Sequence, residues 1–349
     1  MILKTFENLT IEKVQRSDLD QLEKLFATAF ADEVDLQQIK RRIHRARQFY
    51  FILQPLSKFS VWIKNHFNVY VIKIAGQVVG FMQLSYLNSV QLHIDYIAFS
   101  KPYRGQGLGR WVLTKLLDEV ADANNYDALL EVRIDNPAYN FYKRLGFRPV
   151  TEILHYDIAF DKAKAALTSA EDELSGFREL RAEDRRQLYR LYKSSVSHNL
   201  RQVIKRGYGE FNPSMMVRQL DWAKNYLMRK RKHDYVVEQT GKIVALLTIQ
   251  SYFKAKNHVI SLILNHSFEH MRSALLSKAV NLIKARHKQG VISITIYSDD
   301  PAKQLVLERL GFKRESSYYL MFRPADESGK EKIIAKPYRA QAANRYKKI

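Results

Sequence analysis

The 349-residue chain has no cysteine. That excludes disulfides, zinc–thiolate sites, iron–sulfur clusters and a cysteine nucleophile, and it removes the usual mark of an exported domain. No apolar run reaches the ~18 residues that a transmembrane helix needs, and the N-terminal stretch lacks the charged and apolar regions of a signal peptide. The expectation is a soluble, cytoplasmic protein. A Gly-Lys-Ser/Thr triplet is also missing, which excludes a P-loop, and the third glycine of a dinucleotide fingerprint falls one residue early because Arg110 stands in its place. Acidic residues are scarce, 36 against 57 Lys and Arg, for a net charge of +21.

What the chain does contain is concentrated between residues 94 and 147. An apolar strand, Ile94 to Phe99, leads into the turn Arg104-Gly105-Gln106-Gly107-Leu108-Gly109, and an amphipathic helix follows from Leu108 to Ala123. Glycines let the backbone approach an anion, the helix N-terminus offers N–H groups and a positive dipole end, and Arg104 adds a cation. Such a nest suits a pyrophosphate. Downstream, Asp127 to Ile134 reads as a strand with a polar stripe at Glu131 and Arg133. Asn136-Pro137 opens a short helix, and Gly146 stops it.

This order resembles the Gcn5-related N-acetyltransferases, and the run Leu130-Glu131-Val132-Arg133…Asn136…Phe141-Tyr142…Leu145-Gly146-Phe147 is similar to the ribosomal-protein N-terminal acetyltransferases. The resemblance implies acetyl-CoA as co-substrate and no metal. It implies that Arg104, Gly105, Gln106, Gly107, Leu108, Gly109 and Arg110 hold the pyrophosphate. The backbone of Ile97, Ala98 and Phe99 would hold the pantetheine and polarise the thioester carbonyl, with Asn136 bonding the cofactor arm. Tyr142, beside the cofactor, is the implied acid for the leaving thiolate, and Glu131 the implied base. Other readings stay open: Tyr142 as a core tyrosine, Glu131 as a partner of Arg133, Asp95 or a held water as the base, and His93 as a packed ring or a substrate contact.

The resemblance covers roughly residues 8 to 160. Thr10 to Val14 reads as a first strand, Ser17-Asp18 as the cap of a helix to Phe30, Leu36 to Gln48 as a second, arginine-rich helix, and Val69–Ile74, Val78–Tyr86 and Val90–Phe99 as antiparallel strands. The second half repeats this plan. Phe177 to Tyr192 parallels the opening strand and helix, Tyr235 to Ile249 the hairpin, and Ser298 to Phe312 the segment Asp135 to Phe147. Where the phosphate turn should recur, residues 265–272 contain no glycine, and Leu307 stands in the place of Tyr142. The predicted fold is α/β (α+β), with two tandem acetyltransferase-like domains, each a mixed, mostly antiparallel twisted sheet flanked by helices. The predicted division is a catalytic domain over 1–160, a linker over 161–175, a degenerate domain over 176–323 and a basic, disordered tail over 324–349.

Charge follows this division. Residues 1–160 hold 20 Lys and Arg against 17 Asp and Glu, whereas residues 161–349 hold 37 against 19, so the excess lies in the second half. Runs such as Arg229 to Lys232 could grip RNA or an acidic surface, but a charge run is more often a solvated face, and nucleic acid is the less favoured partner. The favoured reading is an N-acetyltransferase acting on a primary amine of a protein, peptide or small molecule. The alternatives are a non-enzymatic acyl-CoA-binding regulatory module and an RNA-modifying acetyltransferase. No code for the acceptor is legible in Leu36 to Lys64 or Thr151 to Phe160, the stretches that build acceptor pockets in the family.

Overall fold

The computed structural model describes residues 8–29, 68–163, 174–227, 229–254, 256–298 and 301–325. The chain divides into two compact units, the first made of Met1–Glu131, Pro137–Arg148 and Met321–Ile349, the second of Val132–Asn136 and Pro149–Leu320.

Unit 1 begins with β1 (Leu9–Lys13), a 3-10 turn and α1 (Leu19–Ala29). The Asp18 carboxylate accepts the Gln15 backbone N–H at 2.9 Å and so satisfies one donor at the helix entrance. Leu19, Leu22, Leu25 and Phe26 recur at helical spacing, forming one stripe that packs on Val71, Phe81 and Ala98 of the sheet. Each such side chain contributes about 1.5–3 kcal/mol on burial. β2 (Val69–Ile74), β3 (Gln77–Asn88) and β4 (Gln91–Phe99) follow. Ala75 and Gly76 both have positive φ, 49° and 80°, the geometry of a two-residue turn that matches strand twist. Next come α2 (Leu108–Leu116), β5 (Asp127–Arg133) and α3 (Ala138–Lys143). The strands of unit 1 lie in the order β1-β2-β3-β4-β5. Only the β4–β5 pair is parallel among these four pairings.

The helix expected over Leu108 to Ala123 is α-helical only to Leu116 and continues as a π-helical segment, Leu117–Asp122. This wider segment ends on buried Asp122, whose two oxygens each accept a guanidinium bond from Arg323 at 2.8 Å. The helix expected over Leu36 to Gln48, the early acceptor stretch Leu36 to Lys64, most of the 161–175 linker and the tail beyond 325 lie outside the described residues.

Unit 2 contains β6 (Arg148–Ala159), β7 (Phe177–Glu179), α4 (Arg185–Ser195), α5 (His198–Val203), α6 (Tyr208–Phe211), α7 (Met215–Leu227), β8 (Lys230–Gln239), β9 (Lys242–Tyr252), β10 (Asn257–Leu264), α8 (Arg272–Arg286), β11 (Val291–Tyr297), α9 (Pro301–Arg309) and most of β12 (Lys313–Arg323). Its strand order is β12-β6-β11-β10-β9-β8-β7. The repeat is visible in detail. Thr240 and Gly241 take φ of 49° and 75°, as Ala75 and Gly76 do in unit 1, and β10 and β11 form a parallel pair like β4 and β5. Gly146 and Gly311 end their short helices at φ 88° and 87°, and in each the next N–H bonds a carbonyl five residues back.

One strand is distributed differently from the contiguous division 1–160 and 176–323. Ile153 to Ala159 of β6 pair antiparallel with Tyr297 to Val291 of β11. Its Leu154, Tyr156 and Ile158 are buried in one core with Ile292, Ile294, Leu276 and Val280. The segment therefore belongs to unit 2. Its alternating pattern announces a strand but not which edge it joins.

Candidate active site

Two strands part at the centre of unit 1. β4 and β5 are paired from Gln91↔Asp127 to Ile94↔Leu130 and no further. β4 continues on its other edge, with Ile97, Ala98 and Phe99 opposite Met82, Phe81 and Gly80 of β3. In that second ladder Tyr96 faces Gln83 and Ile94 faces Leu84, so Asp95 is an extra residue, a bulge. A bulge bends its strand and increases the local twist. The bend lies at the point where the parallel ladder stops, and it leaves one backbone edge of Ile97 to Phe99 outside the β4–β5 ladder.

Beyond β4 the chain makes a 3-10 turn, Lys101–Tyr103, and then the glycine-rich loop. Gly105 and Gly107 have φ of 73° and 83°, in the left-handed region where a side chain costs about 1–2 kcal/mol. A Cβ on Gly105 would meet nothing within 4 Å, so backbone conformation rather than space demands glycine there. At Gly109 the reason is different. A Cβ there would lie 3.3 Å from the Phe99 ring, and one on Gly80 would lie 2.5 Å from it. These two glycines make room for an aromatic ring at the end of β4.

Side chains lace the turn together. Arg104 Nε donates to the Phe99 carbonyl at 2.7 Å, and Gln106 Nε2 donates to the Pro102 carbonyl. The remaining guanidinium donors of Arg104 bond nothing among the described residues. In α2 the Trp111 N–H reaches the Gly107 carbonyl at 3.1 Å. The N–H groups of Leu108, Gly109 and Arg110 precede it and are the orphan donors of a helix N-terminus. Left-handed glycines, orphan donors and a tethered arginine together fit a pyrophosphate.

The catalytic candidates are disposed as follows. Glu131 is exposed, stands one residue past the last β4–β5 pair, and makes no hydrogen bond or ion pair among the described residues. Arg133 pairs with Asp135 at 2.9 Å. Tyr142 is buried, with ring centroids 5.3 Å from Phe141 and 6.0 Å from Phe147, so its ring also anchors α3. Asn136 belongs to unit 2 and donates its backbone N–H to the Arg133 carbonyl at 3.0 Å. His93 Nδ1 lies 2.8 Å from Asp95 Oδ1, and Ser85 Oγ donates to Asp95 Oδ2. The sequence shows that His93 and Asp95 are close neighbours on a strand; the contact with Ser85 depends on register and was not legible.

Unit 2 has a similar fork without the turn. β10 and β11 pair from Asn257↔Val291 to Ile260↔Ile294, after which β10 runs on beside β9 and β11 beside β6. The segment that follows β10 is a 3-10 helix, His266–Met271, capped by Asn265, whose side chain accepts the Ser267 N–H at 3.0 Å. Glu269 places its own carboxylate at the start of α8, where Arg272 Nε and Nη2 each donate to it at 2.7 Å.

Comparison with known proteins points to one family for unit 1. The sequence model of the acetyltransferase (GNAT) family matches residues 30–147. Over these residues the chain is similar to a GNAT acetyltransferase domain. It is 26% identical over 159 residues to an N-alpha-acetyltransferase of Sulfurisphaera tokodaii, covering 42% of this chain and 84% of that protein. Among solved structures, a Gcn5-related N-acetyltransferase from Sphaerobacter thermophilus aligns over 91% of this chain and 96% of its own, with a TM-score of 0.61 and 15% identity. A tandem GNAT protein from the clavulanic acid biosynthesis pathway aligns over 91% and 99%, with a TM-score of 0.57 and 13% identity. At such identities the structural likeness speaks for the fold, and the GNAT domain together with the N-alpha-acetyltransferase relative speaks for an acetyltransferase that uses acetyl-CoA. No helix among the described residues is long and apolar enough to cross a membrane.

Proposed function

We propose that unit 1 transfers the acetyl group of acetyl-CoA to a primary amine of a protein, a peptide or a small molecule, by direct attack of the amine on the thioester. The observation that carries this reading is the opening between β4 and β5 beside a left-handed glycine turn at a helix N-terminus. The turn 104–110 would hold the pyrophosphate, and the open edge of Ile97, Ala98 and Phe99 would bond the pantetheine and the thioester carbonyl. A preorganised N–H on a developing oxyanion contributes about 3 kcal/mol in acyl transfer.

An acceptor amine with a pKa of about 8 to 10 is mostly ammonium at neutral pH, so attack requires a base. Glu131 fills that role: its exposed carboxylate stands where the parallel ladder ends. Tyr142 protonates the departing thiolate. The relative from Sulfurisphaera tokodaii supports a protein N-terminus as one acceptor class. Unit 2 is assigned a supporting, non-catalytic role, because Glu269 puts a negative charge where a phosphate would need donors. Incubating the purified chain with acetyl-CoA and a panel of amines, peptides and RNA, followed by mass spectrometry, tests the reading. Acetylated amine is the expected product. Acetylation of RNA alone, or of nothing, overturns it.

A further inference from the structure

Large apolar side chains seldom face water as a group, yet in unit 2 they are gathered on one helix. α7 (Met215–Leu227) reads Met-Met-Val-Arg-Gln-Leu-Asp-Trp-Ala-Lys-Asn-Tyr-Leu. At the ~100° per residue of a helix, Met216, Leu220 and Leu227 form one row and Met215, Trp222 and Tyr226 a second beside it, while Arg218, Asp221 and Asn225 take the opposite side. All six of these apolar side chains are 63–79% exposed, and no other large hydrophobic among the described residues exceeds 54%. The Trp222 and Tyr226 rings stack on each other with centroids 5.8 Å apart.

We infer that α7 is an interfacial helix that lays unit 2 on an anionic lipid surface. The inference is independent of the acetyltransferase reading of unit 1. Thirteen residues are too few to span a bilayer, which takes about 20. A helix with a wide apolar face and a polar back instead lies in the plane of the headgroups, with the apolar rows sunk to the acyl-chain boundary. Tryptophan and tyrosine suit that depth, because the ring leaves water while the N–H or O–H stays wet.

Charge and area select this occupant. Residues 198–232 hold nine Lys and Arg against two acidic residues, Glu210 and Asp221. The run Arg229 to Lys232 follows the helix directly, and Arg229, Arg231 and Lys232 are exposed. Lys232 is paired with Asp234 at 2.8 Å, but Arg231 lies over the Phe253 ring, 5.5 Å from its centroid, and a ring does not neutralise the guanidinium. A basic segment beside an apolar helix is drawn to anionic headgroups. A second copy of the chain would bring like-charged runs together instead. Area argues the same way: a helix of 13 residues is about 20 Å long and 10 Å wide, so its outer face offers on the order of 200 Å², well under the ~800 Å² per partner of a stable protein–protein interface.

The test sediments the full chain with vesicles of phosphatidylcholine alone and of phosphatidylcholine mixed equally with phosphatidylglycerol. Binding to the mixed vesicles, weakened by salt, is expected, with little to the neutral ones. Leu220→Ser combined with Trp222→Ser should weaken it by about 10-fold or more at an unchanged melting temperature, because both side chains are exposed. Arg229→Gln combined with Arg231→Gln should weaken it about 10-fold and reduce its salt dependence. The chain has three tryptophans, and their emission should shift to the blue on binding. That shift should vanish in Trp222→Phe, which still binds. Sedimentation with neither vesicle, equal binding to both, or a shift that persists in Trp222→Phe would overturn the inference. So would ultracentrifugation showing a dimer that the Leu220→Ser, Trp222→Ser variant dissociates, which would make this face a contact between copies, or a gel shift showing that the same variant loses binding to single-stranded RNA rather than to vesicles.

Discussion

At the scale of single residues, the site is built from groups whose neighbours fix what they can do. Tyr142 is packed between Phe141 and Phe147, so Tyr142→Phe keeps the ring contacts and deletes only the proton donor. We expect kcat to fall by 10-fold or more with acetyl-CoA affinity unchanged, read as a kcat effect without a matching change in binding by calorimetry. The glycines of the loop and of β3 should divide by mechanism. Gly105→Ala forces a side chain into the left-handed region at a cost of about 1 kcal/mol. Gly80→Val instead drives atoms into the Phe99 ring, and overpacking of that kind costs about 1–3 kcal/mol. The first should weaken acetyl-CoA binding more than it lowers the melting temperature. The second should do the reverse.

At the scale of elements, unit 2 depends on two polar sites whose contributions to stability both fade as pH falls. Asp184, at the head of α4, accepts Arg178 Nη1 at 2.6 Å, Arg178 Nη2 at 2.8 Å and the Arg181 N–H at 2.7 Å. The Arg178 guanidinium holds its carboxyl below the ordinary carboxylate value. A depressed folded value gives stability that is present at neutral pH and lost as pH falls through that value. Asp184→Ala should cost about 3 kcal/mol and remove this part of the acid sensitivity in denaturant titrations from pH 7 to pH 3. His258, on β10, is buried, shares a hydrogen bond with Ser251 at 3.0 Å, and stands 4.3 Å from the His287 ring. Burial lowers its pKa from the ordinary 6.5. The unfolded chain therefore takes up the proton first, and stability declines as pH drops below about 6.5. His258→Gln should flatten the dependence between pH 7 and pH 5, at a constant cost at higher pH; an unchanged slope would mean that the ring does not titrate on unfolding.

At the scale of the whole molecule, the described residues hold two strand forks and one left-handed glycine turn at a helix N-terminus. Calorimetry should find a single acetyl-CoA site per chain, abolished by Gly107→Glu and indifferent to Glu269→Gln. Two equivalent sites would contradict the assignment of unit 2. The charge asymmetry has its own test, since the segment 161–349 carries most of the net +21. If that half binds an acidic macromolecule, neutralising Arg229 to Lys232 should flatten the salt dependence by about 0.7 to 0.9 in log–log slope for each nucleic-acid phosphate that is no longer neutralised. Acetylation of a small amine should be unaffected.

The sequence by itself determined the local grammar of this protein. Glycine positions, helix caps and alternation placed the strands β1 to β5, the glycine-rich turn with its helix and the repeat of that plan to within a few residues, because backbone conformation and amphipathic period are set by near neighbours. It also exposed the missing glycines at 265–272. Only the tertiary structure decided where strands meet and part. That β6 joins the sheet of unit 2 beside β11, that Asp95 bulges where β4 and β5 separate, that Ser85 reaches Asp95 and that Phe99 fills the space left by Gly80 and Gly109 all depend on pairings between residues distant in sequence. A strand's own pattern specifies its buried face, but its partner is chosen by the apolar surface and backbone donors that other segments bring to the same edge.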